Sequence, residues 1–452
     1  MEKRGLPVSA PVKDMTRGNP AKLIVLFALP LMVGNVFQQL YTMTDAIIVG
    51  QFAGVQALGA VGSTDWLSWL VFGLISGVMQ GFSIPVAQRF GAGDLRGLRR
   101  CVSTLLVLAA VLAVGFTVLG LIFAGPLLRL IGTQQVVFRQ AKTYLSILYG
   151  GIFITAAYNL FAALLRALGN SRAPLLAMLV ASGVNIALDL LFVMVFRWDV
   201  AGAAAATVIA QGAAAVICLI SVLRLEQLRF QKGAFLFHKG DAGLLMKLAA
   251  PLGLQNILIS VGGVVVQSVI NSLGFEFVAG ITASGKLSGL QETAAMSFGL
   301  AVTTYTGQNL GAGQIQRIRK GVRSTAFIAL GTSAVLSCIM FAFGRAGLSL
   351  FIEKTADAMV TEVATNYLHA MSATLFLLYF LHVYRSALYG LGETMMPMLS
   401  SIVQCVMRIL VAWGLTRIVS PWAICFTEPA AWLGALTMLL FVYRHKMEKL
   451  SL

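Results

Sequence analysis

The sequence predicts an all-α membrane protein with twelve transmembrane helices in two six-helix halves. Three observations support this fold class. Of the 452 residues, 58% are hydrophobic and 11% are charged, whereas soluble proteins contain about 25% charged residues. Apolar runs of about 20 residues, the length that spans a bilayer, recur along the chain. Motifs of the first half also return in the second half at a nearly constant offset.

Twelve apolar runs are long enough to cross a membrane. Because their number is even, both ends of the chain lie on the same side. Element boundaries read from a sequence are accurate only to a few residues. We place the spans at about 22–50, 56–84, 101–125, 139–165, 173–196, 200–223, 245–273, 277–306, 324–346, 363–389, 396–418 and 421–443.

The positions of the basic residues predict which side the termini occupy. Of the 33 Lys and Arg residues, 24 lie in segments on the side of the termini and seven on the opposite side. Arg385 is counted among the 24, whereas Lys286 and Arg408 fall inside spans. A bias of this size places both termini in the cytoplasm. The net charge of +16 therefore reflects topology, and we expect no nucleic-acid partner because the basic residues form no stripe interleaved with aromatics.

An internal repeat relates the two halves. The segment AQRFGAGDLRGLRR (87–100) aligns with GQNLGAGQIQRIRK (307–320) at an offset of 220, and LGNSRAP (168–174) aligns with LGETMMP (391–397) at an offset of 223. Two halves in the same orientation are the parallel-repeat plan of some transporters, in which the transport route lies at the interface of the halves.

The repeat also predicts the domain organisation. We expect no cleaved signal peptide, because the N-terminal residues contain no short apolar region followed by a cleavage site. The five cysteines show no metal-ligand spacing, and we find no Walker lysine and no catalytic triad; we therefore expect no enzyme activity, no catalytic residue and no cofactor. The segments are a cytoplasmic tail, a bundle, a cytoplasmic linker, a second bundle and a cytoplasmic tail, at 1–21, 22–223, 224–244, 245–443 and 444–452.

Two acids stand inside apolar runs of the first half, Asp45 in LYTMTDAIIVG and Asp189 in GVNIALDLLFV. A carboxylate in the hydrocarbon core costs about 2.5–3.5 kcal/mol or more, so such residues usually face a wet cavity and serve a function. Asn185 shares a helix face with Asp189, and Thr207 lies in the next span. This oxygen-rich set suits a hard cation such as Na⁺; without one, the carboxylates repel and one binds a proton. The alternative is a structural polar cluster that holds spans one, five and six together.

The order of the motifs resembles that of the MATE (multidrug and toxin extrusion) transporters. The shared motifs are an Asp late in the first span, Gln-x-x-GAG after the second, Gly-Asn-x-x-x-Pro after the fourth and Asn-x-x-x-Asp in the fifth. The resemblance covers nearly the whole chain. It implies two six-helix bundles forming a V and drug efflux driven by sodium or proton entry. It also implies a cation site at Asp45, Asn185, Asp189 and Thr207.

The second half carries different residues at the equivalent positions. The equivalents of Asp45, Asp189, Asn185 and Thr207 are Val266, Ala412, Arg408 and Glu428. We predict that Arg408 and Glu428 form an intramembrane salt bridge, in which a fixed guanidinium substitutes for the exchangeable cation. One branch of the MATE family carries further acids in spans seven and ten, and this chain has none there.

Other charged residues predict a gate and a substrate cavity. Asp65 in span two maps onto Lys286 in span eight, and our hypothesis is that the two bridge when the outer mouth closes. The alternative is that Lys286 snorkels to the surface and Asp65 only hydrogen-bonds. Glu292 can attract a cationic substrate, with Met296 as an adaptable apolar contact; otherwise it pairs with another polar group. His382 aligns with Asn159, and a packing role is favoured over a proton relay.

We therefore expect a secondary transporter of a bacterial inner membrane, embedded in the lipid bilayer and monomeric. It would export amphipathic, often cationic small molecules by alternating access, in exchange for Na⁺ or H⁺. A lipid-linked saccharide flippase of the same superfamily is the runner-up, although such a protein tends to have a cleft lined with basic residues. A membrane-embedded protein without transport activity is a third alternative. The spans contain two cations, Lys286 and Arg408, and five acids, and this excess of acids favours a cationic substrate. The five acids are Asp45, Asp65, Asp189, Glu292 and Glu428.

Overall fold

The computed structural model describes residues 12–228, 237–351 and 357–451. Within these ranges the chain is almost entirely helical and contains no β-strand, which confirms the predicted all-α class. Two compact units are present, one of Met1–Thr16 and Leu29–Ile257 and one of Arg17–Ala28 and Leu258–Leu452. We call them the first and the second unit. Residues 1–11 of the predicted tail, residues 229–236 of the predicted linker, residues 352–356 and residue 452 lie outside the described residues.

Seven helices make up the first repeat. Two π-helical segments, Val49–Ala53 and Leu190–Val195, continue the first and the sixth of them. The predicted span 139–165 is broken at Gly151, where two helices meet at 47°. A Cβ at Gly151 would lie 2.6 Å from Val208 Cγ2, so the glycine allows the seventh helix to approach the break. The helices are α1 (Pro20–Ile48), α2 (Val55–Gly91), α3 (Leu95–Leu130), α4 (Gln135–Gly150), α5 (Ile152–Ala167), α6 (Arg172–Asp189) and α7 (Asp199–Leu223).

The second repeat also has seven main helices in the same order, but no π-helical segment follows the first of them, and the short helices Thr416–Ile418 and Pro421–Phe426 precede the last. Its predicted span 363–389 is likewise broken by 47°, at Thr374, which is the equivalent of Gly151 at the offset of 223. A π-helical segment, Leu410–Leu415, again follows the sixth helix of the repeat. The helices are α8 (Lys239–Ser272), α9 (Phe275–Gly311), α10 (Ile315–Leu348), α11 (Ala358–Ala373), α12 (Leu375–Gly390), α13 (Met395–Ile409) and α14 (Thr427–Lys449).

The membrane spans agree with the twelve predicted from the sequence. Among the described residues, nine helical stretches are long and apolar enough to cross a membrane, and the two bent pairs raise this number to 11. The remaining predicted span, 277–306, corresponds to α9, a 37-residue helix that does not meet the same composition test and that carries Glu276, Lys286 and Glu292. The chain is therefore a multi-pass helical membrane protein.

Salt bridges in the first unit hold the beginning of α8 in place. The Asp241 carboxylate, in the first turn of α8, lies 2.5 Å from Arg89 Nη2 of α2 and 2.7 Å from Arg100 Nε of α3. Asp241 is buried, and two guanidinium groups compensate its desolvation. The end of the linker contacts α3, because the His238 N–H donates a hydrogen bond to Thr104 Oγ1 at 3.2 Å.

Candidate cation site and charge clusters

The two acids of the first unit lie at the points where α-helix changes to π-helix. Asp189 is the last residue of α6 and is 0% exposed, and Asn185, one turn earlier, is 1% exposed. Asp45 is half-buried in the last turn of α1, directly before the π-helical segment Val49–Ala53. Such π-helical turns occur frequently at functional sites, because they alter the direction of the side chains along a helix.

The carboxyl groups of Asp45 and Asp189 are close enough to interact electrostatically. Both Asp189 oxygens, Asp45 Oδ1 and both amide atoms of Asn185 are buried without a hydrogen-bond partner in the described part of the chain. Ionised carboxylates only accept hydrogen bonds, so neither group can satisfy the other unless a proton or a cation lies between them. The unsatisfied oxygens are hard ligands of the type that Na⁺ prefers.

The evidence that Thr207 belongs to the predicted cation site is less direct. Its helix α7 packs along α6, and the side chain is half-buried. The hydroxyl donates to the carbonyl of Ala203 at 3.0 Å, so only its lone pairs remain for a ligand. The structure therefore brings Asp45 and Asp189 together with Asn185 one turn away, and a role for Thr207 stays a prediction. Within the described ranges, no group of three or more His, Cys, Asp or Glu residues could hold a metal ion.

At the equivalent position of the second unit, the guanidinium of an arginine takes the place of a bound cation. Arg408 Nη2 lies 2.7 Å from Glu428 Oε2, which confirms the predicted ion pair, and Arg408 Nη1 donates to the carbonyl of Ile259 at 3.2 Å. A Cβ at Gly262 would lie 3.2 Å from Arg408 Nη1, so this glycine lets α8 approach the guanidinium. Val266 and Ala412, which replace the two acids, lie in one buried apolar cluster with Ile424.

The predicted gate residues are exposed, each in its own unit. Asp65 lies on α2 and Lys286 on α9, and both side chains are exposed. Their pairing stays a prediction. Glu292 and Met296 lie one turn apart on α9, and the Glu292 side chain is 44% exposed. Because a lipid-facing charge is costly, we expect the exposed side chains of Lys286 and Glu292 to face water and not lipid.

Sequence reasoning missed one buried cation. We counted Arg385 among the residues of the loops, but it lies within α12 and is 6% exposed. The error lay in the count of basic residues, which placed Arg385 on the side of the termini although the predicted span 363–389 contains it. His382, one turn earlier, lies with Nε2 4.0 Å from Glu292 Oε1. The buried cations of the second unit therefore include Arg385 as well as Arg408.

Comparisons with known proteins agree with this architecture. The MatE family model matches residues 30–191 and 251–413. The probable multidrug resistance protein YpnP of Bacillus subtilis (strain 168) is 32% identical over 75% of this chain and 76% of its own length. The probable multidrug resistance protein NorM of Thermotoga maritima is 24% identical over 84% of this chain and 82% of its own length.

A solved structure shows the same fold. The crystal structure of MATE in complex with MaL6 superposes with a TM-score of 0.92 at 23% identity, covering 98% of this chain and 100% of that chain. At this level of identity the similarity concerns the fold alone.

Proposed function

Because this chain belongs to the MatE family, the multidrug and toxin extrusion transporters, we propose that it exports amphipathic, often cationic compounds in exchange for inward-moving Na⁺ or H⁺. The observation that carries the proposal is the buried pair of Asp45 and Asp189, whose oxygens lack hydrogen-bond partners in the described structure. The relatives named as multidrug resistance proteins support small-molecule export. We place the protein in the bacterial inner membrane with both termini in the cytoplasm, as a monomer.

Coupling requires that the cation and the substrate each have different affinity for the inward-open and outward-open states. In our proposal the cation neutralises the contact between Asp45 and Asp189 and so changes how α1 packs on α6. Two features make α1 deformable. Pro30 interrupts its hydrogen bonding, and Gly34 lies against α6, since a Cβ there would be 3.5 Å from Met178 Sδ.

The second unit serves as a scaffold in this proposal. The guanidinium of Arg408 is attached covalently to α13 and already pairs with Glu428, so it cannot be exchanged with solvent. The exchangeable charge is therefore confined to the first unit. Closure of the outer mouth by Asp65 and Lys286 belongs to the same proposal and is tested separately, by cross-linking cysteines placed at the two positions.

The test is efflux of the cationic dye rhodamine 123 by vesicles under separately imposed Na⁺ and pH gradients. We expect one of the two gradients to drive transport and Asp45→Asn to abolish it, because an amide cannot exchange a proton or neutralise Na⁺. Asp357→Asn is the matched control, since Asp357 is exposed and only caps α11. Full efflux by Asp45→Asn would refute the assignment of the ion site, and absence of efflux under both gradients would refute the proposed antiport.

A further inference from the structure

The part of α8 that belongs to the first unit, residues 239–257, packs on α2 through glycines. We call this part the inner segment of α8. Gly73, Gly77 and Gly81 follow one another at intervals of four residues and so lie on one face of α2. A Cβ at Gly77 would lie 2.6 Å from a backbone oxygen of α8, and one at Gly81 would overlap α8. The Asn256 amide donates to the Gly73 carbonyl at 2.6 Å. At these glycines the two backbones meet directly, so no side chain of α2 interlocks with α8 there.

Charged groups close the end of this contact, where α8 begins. The Asp241 carboxylate bridges Arg89 of α2 and Arg100 of α3, and Arg89 Nη1 also donates to the Gly97 carbonyl at 2.6 Å. The Asp241 side chain is 6% exposed, whereas the Arg100 side chain is 50% exposed. Water therefore reaches one side of the cluster, and ion pairs that water reaches contribute little enough to be broken and formed again.

A native thiol lies beneath the same cluster. Cys101 directly follows Arg100 on α3 and is 0% exposed. It is close enough to Arg89 and Asp241 to interact with them electrostatically. Separation of the inner segment from α2 and α3 would uncover this thiol, which makes Cys101 a built-in reporter of the contact.

The sequence of the second repeat lacks the residues of this cluster. At the offset of 220, Asn309 stands in place of Arg89, Lys320 in place of Arg100, and Ala21 in place of Asp241. Both repeats nevertheless have seven main helices in the same order. The helical architecture therefore does not require the acid, and a role in the transport cycle is favoured over a general structural one.

We propose that Asp241 is the inner latch of the transporter. Its salt bridges to Arg89 and Arg100 hold the inner segment of α8 on α2 and α3, and they break when the protein opens to the cytoplasm. The three charged groups then regain water, and the glycine face of α2 releases α8 without disentangling side chains. The inference rests on the proposed export function and on the cytoplasmic position of this end of α8, and it adds the residues that control inward opening.

The first test measures how fast N-ethylmaleimide labels Cys101 in the full chain in liposomes, with the other four cysteines replaced by serine. Each variant is labelled well below its melting temperature, so that unfolding does not contribute. We expect Asp241→Asn to raise the rate about tenfold or more, because charge-assisted hydrogen bonds are lost. Arg100→Gln should raise it less, because that side chain is half exposed, and Asp241→Glu should label as slowly as the unmodified protein. Glu226→Gln is the matched control, an exposed acid whose loss should leave the rate unchanged.

The second test holds the latch closed without altering its charges. The His238 N–H donates to Thr104 Oγ1 at 3.2 Å, so cysteines at these two positions of an otherwise cysteine-free chain should form a disulfide between α3 and the residue before α8. We expect the disulfide to abolish gradient-driven efflux of rhodamine 123 and dithiothreitol to restore it. Each single-cysteine variant, treated with the same oxidant, is the control and should keep its efflux.

Two outcomes would overturn the latch. Unchanged labelling of Cys101 in Asp241→Asn would show that the salt bridges do not hold the inner segment closed. Full efflux by the disulfide-linked protein would show that this segment stays on α3 throughout the cycle. The proposed antiport fails separately, if the reduced protein shows no efflux under either gradient, and the labelling of Cys101 tests the latch in that case as well.

Discussion

The two repeats place different chemistry on the same helical positions. In the first unit, Asp45 and Asp189 are close enough to interact electrostatically, and their buried oxygens lack hydrogen-bond partners among the described residues. In the second unit, valine and alanine occupy these two positions, and Arg408 and Glu428 replace the amide and the hydroxyl as an ion pair of 2.7 Å. The comparison teaches that one fold can carry either a pair of unsatisfied acids or a permanent ion pair at equivalent positions, depending on four side chains.

The largest expected effect on stability comes from breaking the ion pair of Arg408 and Glu428. Arg408→Met leaves the carboxylate of Glu428 without its partner, and removing one member of a buried pair costs about 3–5 kcal/mol. The melting temperature of the purified protein in detergent measures this loss. The double variant Arg408→Met/Glu428→Gln should recover much of it, because no uncompensated charge remains. Equal losses in the single and double variants would show that the pair matters through packing and not through charge.

Replacing an acid of the first unit should instead increase the stability of the protein. Asp189→Asn removes a like-charge contact, so in Na⁺-free alkaline buffer we expect it to stabilise the protein by about 1 kcal/mol or more. Adding Na⁺ or lowering the pH should then raise the melting temperature of the unmodified protein more than that of the variant, because ligand binding to the folded state stabilises it.

Glu428→Gln is the matched control for this second experiment. It makes the same kind of change, carboxylate to amide, in the other unit, where we expect destabilisation. If both substitutions change the melting temperature in the same direction, the two sites do not differ in the way that we propose.

The smallest expected difference between the two repeats concerns the broken spans. Gly151→Ala forces a Cβ against Val208, and overpacking of this kind costs about 1–3 kcal/mol. At the equivalent position Thr374→Ala removes only the bonds from its hydroxyl to the carbonyls of Ala370 at 2.7 Å and Met371 at 3.4 Å, so we expect a smaller change. Thermal unfolding measures both variants. Val208→Ala should rescue Gly151→Ala; without rescue, the close contact is not the reason for the glycine.

Much of the site could be predicted because charges inside apolar runs are conspicuous. The repeat offset identified the partners Arg408 and Glu428, and the structure places them in contact. The breaks at Gly151 and Thr374 could not be predicted, since each span reads as one continuous apolar run. The burial of Arg385 was missed because hydropathy describes the average environment of a segment and not the direction in which one side chain points.

The sequence by itself determined that the chain crosses the membrane many times, that it contains a repeat, and which residues carry charge where lipid excludes charge. These properties depend on the transfer of side chains from water, which is a local quantity. Only the tertiary structure decided which charges meet. One residue turns a helix by about 100°, so helix packing determines that Asp189 lies close to Asp45. It also determines that Arg385 lies inside the second unit, with Nε and Nη2 lacking an acceptor among the described residues.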